Sequence, residues 1–154
     1  MMSYHKLARK PRKFLAMTGF TVTEFQALLP HFRTEFEKYI AVYRLDGKVR
    51  TKRSYSVYKN SPLPTVEDKL LFILIYLKQG SLHEAHATLF ELHQPDANRW
   101  IHLLHRLLAQ AVAALGELPL REASVLCLEE AEQTLYFHDG TERPMVRPTD
   151  PATQ

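Results

Sequence analysis

Residues 65–80 constrain the fold most, because they place eight consecutive apolar side chains, Leu70 to Leu77, between residues that favour the start and the end of a helix. Thr65 is a favourable amino-terminal cap, and Glu67 and Asp68 in the first turn suit the helix dipole. Lys78 in the last turn and the following Gly80 favour the end of the helix. The run is far shorter than the roughly twenty residues that a bilayer crossing needs. We therefore predict a buried helix of about fourteen residues, apolar on nearly every face.

A capping box marks the start of an earlier helix. In Thr21-Val-Thr-Glu24 the threonine hydroxyl and the glutamate carboxylate can each accept from the other residue's backbone N–H. Apolar residues follow at helical spacing, and Pro30 should kink this helix or divide it in two. Residues 1–17, in front of it, are basic and contain a proline, and we expect them to be a flexible arm.

Two helices should follow the apolar one. Ser81 is expected to cap a short helix from Leu82 to Phe90, with its inward side chains at Leu82, Ala85, Leu89 and Phe90. After a turn from Glu91 to Pro95, a long helix should run to about Leu115 and be closed by Gly116. Three helices of these lengths, with a short turn between the last two, are typical of a helix-turn-helix, whose third helix lies in the DNA major groove.

The two faces of the long helix fit that interpretation. An apolar stripe would pack it against the other helices: Ala97, Trp100, Ile101, Leu104, Leu107, Leu108 and Ala111. Arg can read guanine, and Asn or Gln can read adenine. The predicted base readers on the opposite face are Gln94, Asn98, Arg99 and His102, with Arg106 placed for a phosphate. The alternative is an ordinary solvent face on a bundle that binds nothing.

Charge is spread unevenly along the chain. Residues 1–59 contain 13 Lys and Arg against 4 Asp and Glu, whereas residues 60–154 contain 7 against 13. A basic half of this density favours a polyanion partner, although a solubilising surface is the alternative. Residues 44–59 are predicted to be a basic loop or short β-ribbon around an Asp46-Gly47 turn. The predicted phosphate-binding cations are Arg9, Lys10, Arg12, Lys13, Arg44, Lys48, Arg50, Lys52, Arg53 and Lys59.

Histidine and cysteine give no strong metal signal. His83-Glu-Ala-His86 is one residue shorter than the H-E-x-x-H zinc motif. Cys127 is the single cysteine, which excludes an intrachain disulfide and favours a reducing compartment. The basic amino terminus lacks the apolar core of a signal peptide. We expect a cytoplasmic protein that associates with the nucleoid.

The carboxyl-terminal residues are predicted to place an acidic group at the end of a strand. Leu135 to Phe137 suits a β-strand, and Asp139-Gly140 is a turn signal that would expose the carboxylate. Three prolines follow in the last fifteen residues, which disfavours further strands or helices there. We interpret residues 117–154 as a linker and the opening of a catalytic domain.

Three segments together resemble bacterial insertion-sequence transposases of the DDE superfamily: Leu63-Pro-Thr-Val-Glu-Asp68-Lys-Leu-Leu71, Arg99-Trp-Ile101 and Asp139-Gly-Thr-Glu-Arg-Pro144. The resemblance implies an amino-terminal domain that binds the terminal inverted repeats of the element on double-stranded DNA. It also implies a ribonuclease-H-like domain that cuts and joins DNA with two Mg²⁺ ions. Asp139 would be the first of the three catalytic acids and a metal ligand in the complete enzyme.

The predicted fold is therefore mainly α. Residues 18–116 should form a helix-turn-helix bundle with a basic loop, followed by an incomplete ribonuclease-H-like β start. Two Mg²⁺ ions need carboxylates from several strands, so we expect the isolated chain to be catalytically inactive. It would be a truncated copy or a first reading frame, with the remaining transposase polypeptide or a second copy as partner. Two alternatives are a stand-alone DNA-binding repressor of transposition or transcription and a helical protein-interaction module.

Overall fold

Six helices make up most of residues 2–51, 54–57 and 61–116, the part of the chain that the computed structural model describes. They are α1 Tyr4–Ala8, α2 Pro11–Thr18, α3 Val22–Val42, α4 Val66–Gln79, α5 His83–Leu89 and α6 Gln94–Ala114. The mainly helical fold class is confirmed for these residues. None of the described helices has the length and apolar character that a membrane crossing requires. The strand predicted around Phe137, like all of residues 117–154, lies outside the described residues.

The apolar helix α4 lies at the centre of the bundle. Every residue from Asp68 to Ile75 is buried, because α2, α3 and α6 pack around α4. The predicted caps are confirmed: the Asp68 backbone N–H donates to the Thr65 hydroxyl at 3.1 Å, and Gly80 ends the helix with a left-handed φ of 57°. The apolar run therefore forms a helix and not a strand, since caps close it at both ends.

Helix α3 begins at the predicted capping box and continues past the proline. The Glu24 N–H donates to the Thr21 hydroxyl at 3.2 Å, and the Thr21 N–H donates to the Glu24 carboxylate at 2.7 Å. Pro30 lies inside one continuous helix, so the predicted division into two helices is wrong. Leu28 and Phe32, on either side of the proline, are both buried in the same core. Pro30 itself is exposed.

The amino-terminal residues differ from the flexible arm that the sequence suggested. They form α1 and α2, which pack on α4 and α3. Phe14 is fully buried, and the Tyr4 ring stacks on the Phe25 ring at 4.8 Å between centroids. The backbone N–H of Tyr4 donates to the buried Asp68 carboxylate at 2.8 Å. These contacts fix the segment, because Leu7 and Phe14 are buried in the core and Tyr4 packs against it, whereas Leu15 stays exposed.

The inward face of α5 was only partly predicted. Leu82 and not Ser81 is the cap residue, and Leu82 is 81% exposed. Ala85 and Leu89 are exposed as well, whereas Phe90 is buried as expected. The buried residues of α5 are His86 and Ala87. A helix of two turns offers too few apolar positions to define its face from the sequence.

Candidate nucleic-acid interface

The apolar stripe of α6 packs as predicted and fixes the helix in the bundle. Its members from Ala97 to Ala111 are buried, except Trp100, which is partly buried. Leu103 is also buried, although the sequence did not indicate it. Helix α6 packs most extensively against α3 and also contacts α4 and α5. The stripe therefore determines which side chains of α6 remain at the surface.

Four of the five predicted DNA contacts on α6 are exposed: Gln94, Arg99, His102 and Arg106. Arg99 makes an ion pair within the helix, with its Nη1 atom 3.2 Å from the Asp96 carboxylate. The Arg106 guanidinium lies 5.2 Å from the centre of the Tyr39 ring. Asn98 departs from the predicted exposed position: it is only half-exposed, and its Oδ1 atom is buried without a hydrogen-bond partner among the described residues.

The basic loop after α3 contains one short antiparallel contact. Tyr43 and Val49 form an isolated β-bridge, and Gly47 takes a left-handed φ of 82° in the turn that the sequence predicted. Within residues 44–51 and 54–57 the structure shows this bridge and no longer β-ribbon. Lys52, Arg53 and Lys59 lie outside the described residues, so their predicted phosphate contacts stay predictions.

The described cations of the loop have different surroundings. Arg50 is turned toward the protein: its Nε atom donates to the Ile40 carbonyl and its Nη2 atom to the Tyr43 carbonyl, both at 3.0 Å. It thereby binds backbone acceptors at the end of α3. Arg44 is exposed and lies 3.4 Å from the Asp46 carboxylate, while Lys48 is exposed on the turn. Arg44 and Lys48 are therefore presented to solvent, whereas Arg50 supports the loop.

The loop and α6 enclose a groove of about 730 Å³. Arg44, Asp46 and Tyr55 line it from the loop, and Asp96, Arg99 and Trp100 line it from α6. The polypeptide reverses direction after α3, which brings the loop beside the amino-terminal half of α6. Three arginines predicted to contact DNA, Arg44, Arg50 and Arg99, thus line one groove.

The amino-terminal cations lie on other helices. Arg9, Lys10, Arg12 and Lys13 are exposed on α1 and α2 or between them. These two helices pack on α4 and α3, and the Met2 backbone N–H donates to the Leu89 carbonyl at 3.2 Å. The chain therefore starts beside the end of α5, just before α6. The structure brings Arg44 and Arg99 to one groove but does not add these four cations to it.

A buried lysine supports α6 from inside. Lys69 is 1% exposed, and its Nζ atom donates to the Leu63 carbonyl at 2.6 Å and to the Thr65 carbonyl at 3.2 Å. The same atom lies 5.3 Å from the centre of the Phe36 ring and 5.7 Å from that of Trp100. Burial lowers the pKa of Lys69 to about 8, against the opposing effect of two neighbouring carboxylates.

Lys69 therefore joins α3, α4 and α6 to the residues that precede α4. The sequence analysis assigned no role to Lys69, which it quoted only as part of the Leu63 to Leu71 segment. Its position four residues after Thr65, at the start of an apolar run, was the available signal.

His86 is a second buried titratable group, at the contact of α4 with α5. Its ring is fully buried and lies 4.3 Å from the Phe72 ring, and neither nitrogen makes a well-aligned hydrogen bond within the described residues. The Phe72 backbone only partly offsets the effect of burial on its pKa. Burial lowers the pKa of His86 to about 4, so the ring is neutral near pH 7. No group of three His, Cys, Asp or Glu side chains converges in the described part of the chain.

Comparison with known proteins gives one match. Residues 61–113 match the family model described as the helix-turn-helix of DDE superfamily endonuclease. The matched range contains α4, α5 and all but the last residue of α6, and the match supports a helix-turn-helix domain formed by these helices, with double-stranded DNA as its partner. Neither a search of curated proteins nor a search of solved structures gave a significant match.

Proposed function

We propose that the chain binds the ends of a mobile DNA element through α6, as the amino-terminal part of a DDE transposase. One observation carries this proposal: Gln94, Arg99 and His102 are exposed on the first turns of α6, within a segment that matches the helix-turn-helix of DDE endonucleases. Helices of this kind present their amino-terminal side chains to base edges in the major groove. The ligand would be double-stranded DNA with the terminal inverted repeat of the element.

The exposed cations divide between two kinds of contact. Arg99 is placed to read a base, since it lies on the first turns of the helix. Arg106 lies about two turns further along and is better placed for a phosphate. Arg44 and Lys48 project from the loop beside α6 and are suited to backbone phosphates. Contacts to phosphates add affinity for any sequence, and contacts to bases provide the discrimination between sequences.

The first experiment is a salt titration of binding to two duplexes. One duplex carries the inverted repeat that flanks the gene, and the other has the same composition in scrambled order. We expect tighter binding to the repeat and a steep loss of affinity with salt, because bound phosphates release counterions. Equally weak binding to both duplexes would overturn the proposal and favour a protein-interaction module with a basic surface.

Arg99→Ala tests the base-reading role. Its binding to the repeat duplex should weaken by about 1–3 kcal/mol, with little change on the scrambled duplex. Lys38→Ala is the matched control, because Lys38 is an exposed cation of α3 that pairs with Glu35 on its own helix and does not line the groove. Equal losses on the two duplexes for Arg99→Ala would assign the residue to a phosphate.

The transposase assignment also includes Asp139, which lies outside the described residues. We propose that Asp139 is one of the carboxylates that hold Mg²⁺ in a complete DDE catalytic domain. In a polypeptide that contains that whole domain, Asp139→Asn should abolish Mg²⁺-dependent strand cleavage and leave binding to the repeat duplex unchanged. Cleavage that survives the substitution would exclude this role.

A further inference from the structure

Two ion pairs face the groove between the loop and α6. The Arg44 Nη2 atom lies 3.4 Å from the Asp46 carboxylate on the loop, and the Arg99 Nη1 atom lies 3.2 Å from the Asp96 carboxylate on α6. All four residues line the groove. The side chains of Arg44 and Arg99 are 59% and 69% exposed, so a ligand in the groove can reach both guanidinium groups.

As ion pairs, these two contacts add little to the fold. Exposed ion pairs contribute little to stability, since both partners keep most of their hydration and lose side-chain entropy. Each acid also has a local role, because Asp46 accepts from the Lys48 N–H in the turn and Asp96 lies in the first turn of α6. Neither local role requires an arginine, and a carboxylate in this groove would repel the phosphates of a DNA strand bound there. Pairing with an arginine at the groove is therefore a further role.

The chemistry of the two pairs indicates that role. A guanidinium group donates to a phosphate oxygen or to the acceptors on a guanine edge with the same N–H groups that it offers a carboxylate. A DNA acceptor can therefore replace Asp46 at Arg44 and Asp96 at Arg99. Each replacement forfeits one ion pair and leaves a carboxylate close to the bound strand.

We propose that the groove holds one strand of a DNA duplex, and that Asp46 and Asp96 compete with the DNA for Arg44 and Arg99, which limits affinity for DNA of arbitrary sequence. This inference rests on the proposed DNA-binding function and deepens it. It assigns two acidic residues to the interface, in a groove whose other charged lining residues are arginines. The partner class is duplex DNA, with the phosphates of one strand beside the loop.

Neutralising either acid should strengthen binding. Asp46→Asn should raise affinity for the scrambled duplex about two- to tenfold at low salt, because Arg44 is released to a phosphate and a repulsion is removed. Asp96→Asn should give a gain of that size on the repeat duplex, where Arg99 has a base to read, and a smaller gain on the scrambled duplex, where only the repulsion is removed. The gain should shrink as salt rises, since the repulsion is screened. The Asn side chain keeps an oxygen that can accept from the Lys48 N–H, which bonds Asp46 at 3.3 Å, so the turn is preserved.

Glu37→Gln is the matched control for net charge. Glu37 is an exposed carboxylate of α3 that does not line the groove, and its removal changes the net charge by the same amount. We expect less than about a twofold change for it. A second control places Asp46→Asn in an Arg44→Ala background, where the gain should shrink because the competing arginine is gone and only the removed repulsion remains.

The outcomes separate this inference from the proposed function. If the wild type binds DNA and both Asn variants match Glu37→Gln, or bind more weakly than the wild type, the competition is excluded while DNA binding stands. A gain for Asp46→Asn that is undiminished in the Arg44→Ala background would also exclude it, because none of the effect would pass through Arg44. A wild type that binds neither duplex would overturn the inference together with the proposed function.

Discussion

The buried His86 ring predicts a loss of stability in acid. It is surrounded by the rings of Phe72, Tyr76 and Phe90, at centroid distances of 4.3, 5.3 and 5.2 Å. Burial lowers its pKa from 6.5 to about 4. Between these pH values the unfolded chain binds a proton that the folded protein does not, so the free energy of unfolding falls as the pH falls. At 1.36 kcal/mol per pKa unit, the loss from this one group is about 3 kcal/mol between about pH 7 and pH 4.

Urea unfolding of the wild type and of His86→Leu at a series of pH values measures this loss. Leucine has a similar volume and no charge, so the variant should lack about 3 kcal/mol of the acid sensitivity of the wild type. Asp and Glu titrate in the same range, and the difference between the two proteins removes their contribution. His102→Gln is the control, because His102 is an exposed histidine whose removal should leave the wild-type profile intact.

Near pH 7 the His86→Leu variant should be as stable as the wild type or more stable. Both ring nitrogens of His86 are buried without well-aligned hydrogen bonds in the described part of the chain, and an unsatisfied buried polar group costs about 1–3 kcal/mol. Parallel pH profiles for the wild type and His86→Leu would refute the reasoning, because they would mean that the ring takes up its proton equally well in the folded protein.

Three further predictions concern other buried or partly buried groups. Burial lowers the pKa of Lys69 to about 8, below its value of about 10.4 in an unfolded chain. As the pH rises, the folded protein therefore loses this proton before the unfolded chain does, and the free energy of unfolding should rise between about pH 8 and about pH 10.4. Urea unfolding should show this rise, up to about 3 kcal/mol, in the wild type and not in Lys69→Met. An equal dependence of the free energy of unfolding on pH in the two proteins would contradict the prediction. Phe14→Ala should lower the free energy of unfolding by about 3–5 kcal/mol and Leu15→Ala, at an exposed position, by far less; similar losses would contradict the packing of α2. Arg50→Ala should accelerate hydrogen exchange at the loop amides and leave α4 protected, and unchanged loop exchange would show that Arg50 does not hold the loop.

Much of the bundle follows from chemistry that is local in the sequence. The caps at Thr21, Thr65 and Gly80 were predicted correctly, because a cap joins residues three or four positions apart. The stripe of α6 was predictable for a related reason. A helix of 21 residues repeats its apolar spacing several times, so its buried face is defined by many side chains.

The features that the sequence missed depend on partners far along the chain. Tyr4 is held by Asp68 and by stacking on Phe25, and no periodicity within residues 1–17 indicates either contact. The burial of Lys69 requires carbonyls from the segment before α4 and rings from two other helices. A polar residue in an apolar run has two interpretations, exposed or buried and satisfied, and only the tertiary structure decides between them.

Four cations of the described residues differ in their expected effects on DNA binding. Arg50 and Lys69 bind backbone carbonyls, although Arg50 also lines the groove, whereas Arg44 and Arg99 present exposed guanidinium groups to it. Each neutralised phosphate contributes about 0.9 to the slope of log affinity against log salt. Arg44→Ala should therefore lower that slope by about one, because it removes a phosphate contact. Lys69→Met should weaken binding to the repeat through a shifted α6 and leave the slope unchanged; a lower slope for Lys69→Met would mean that its charge acts on DNA directly, contrary to its burial.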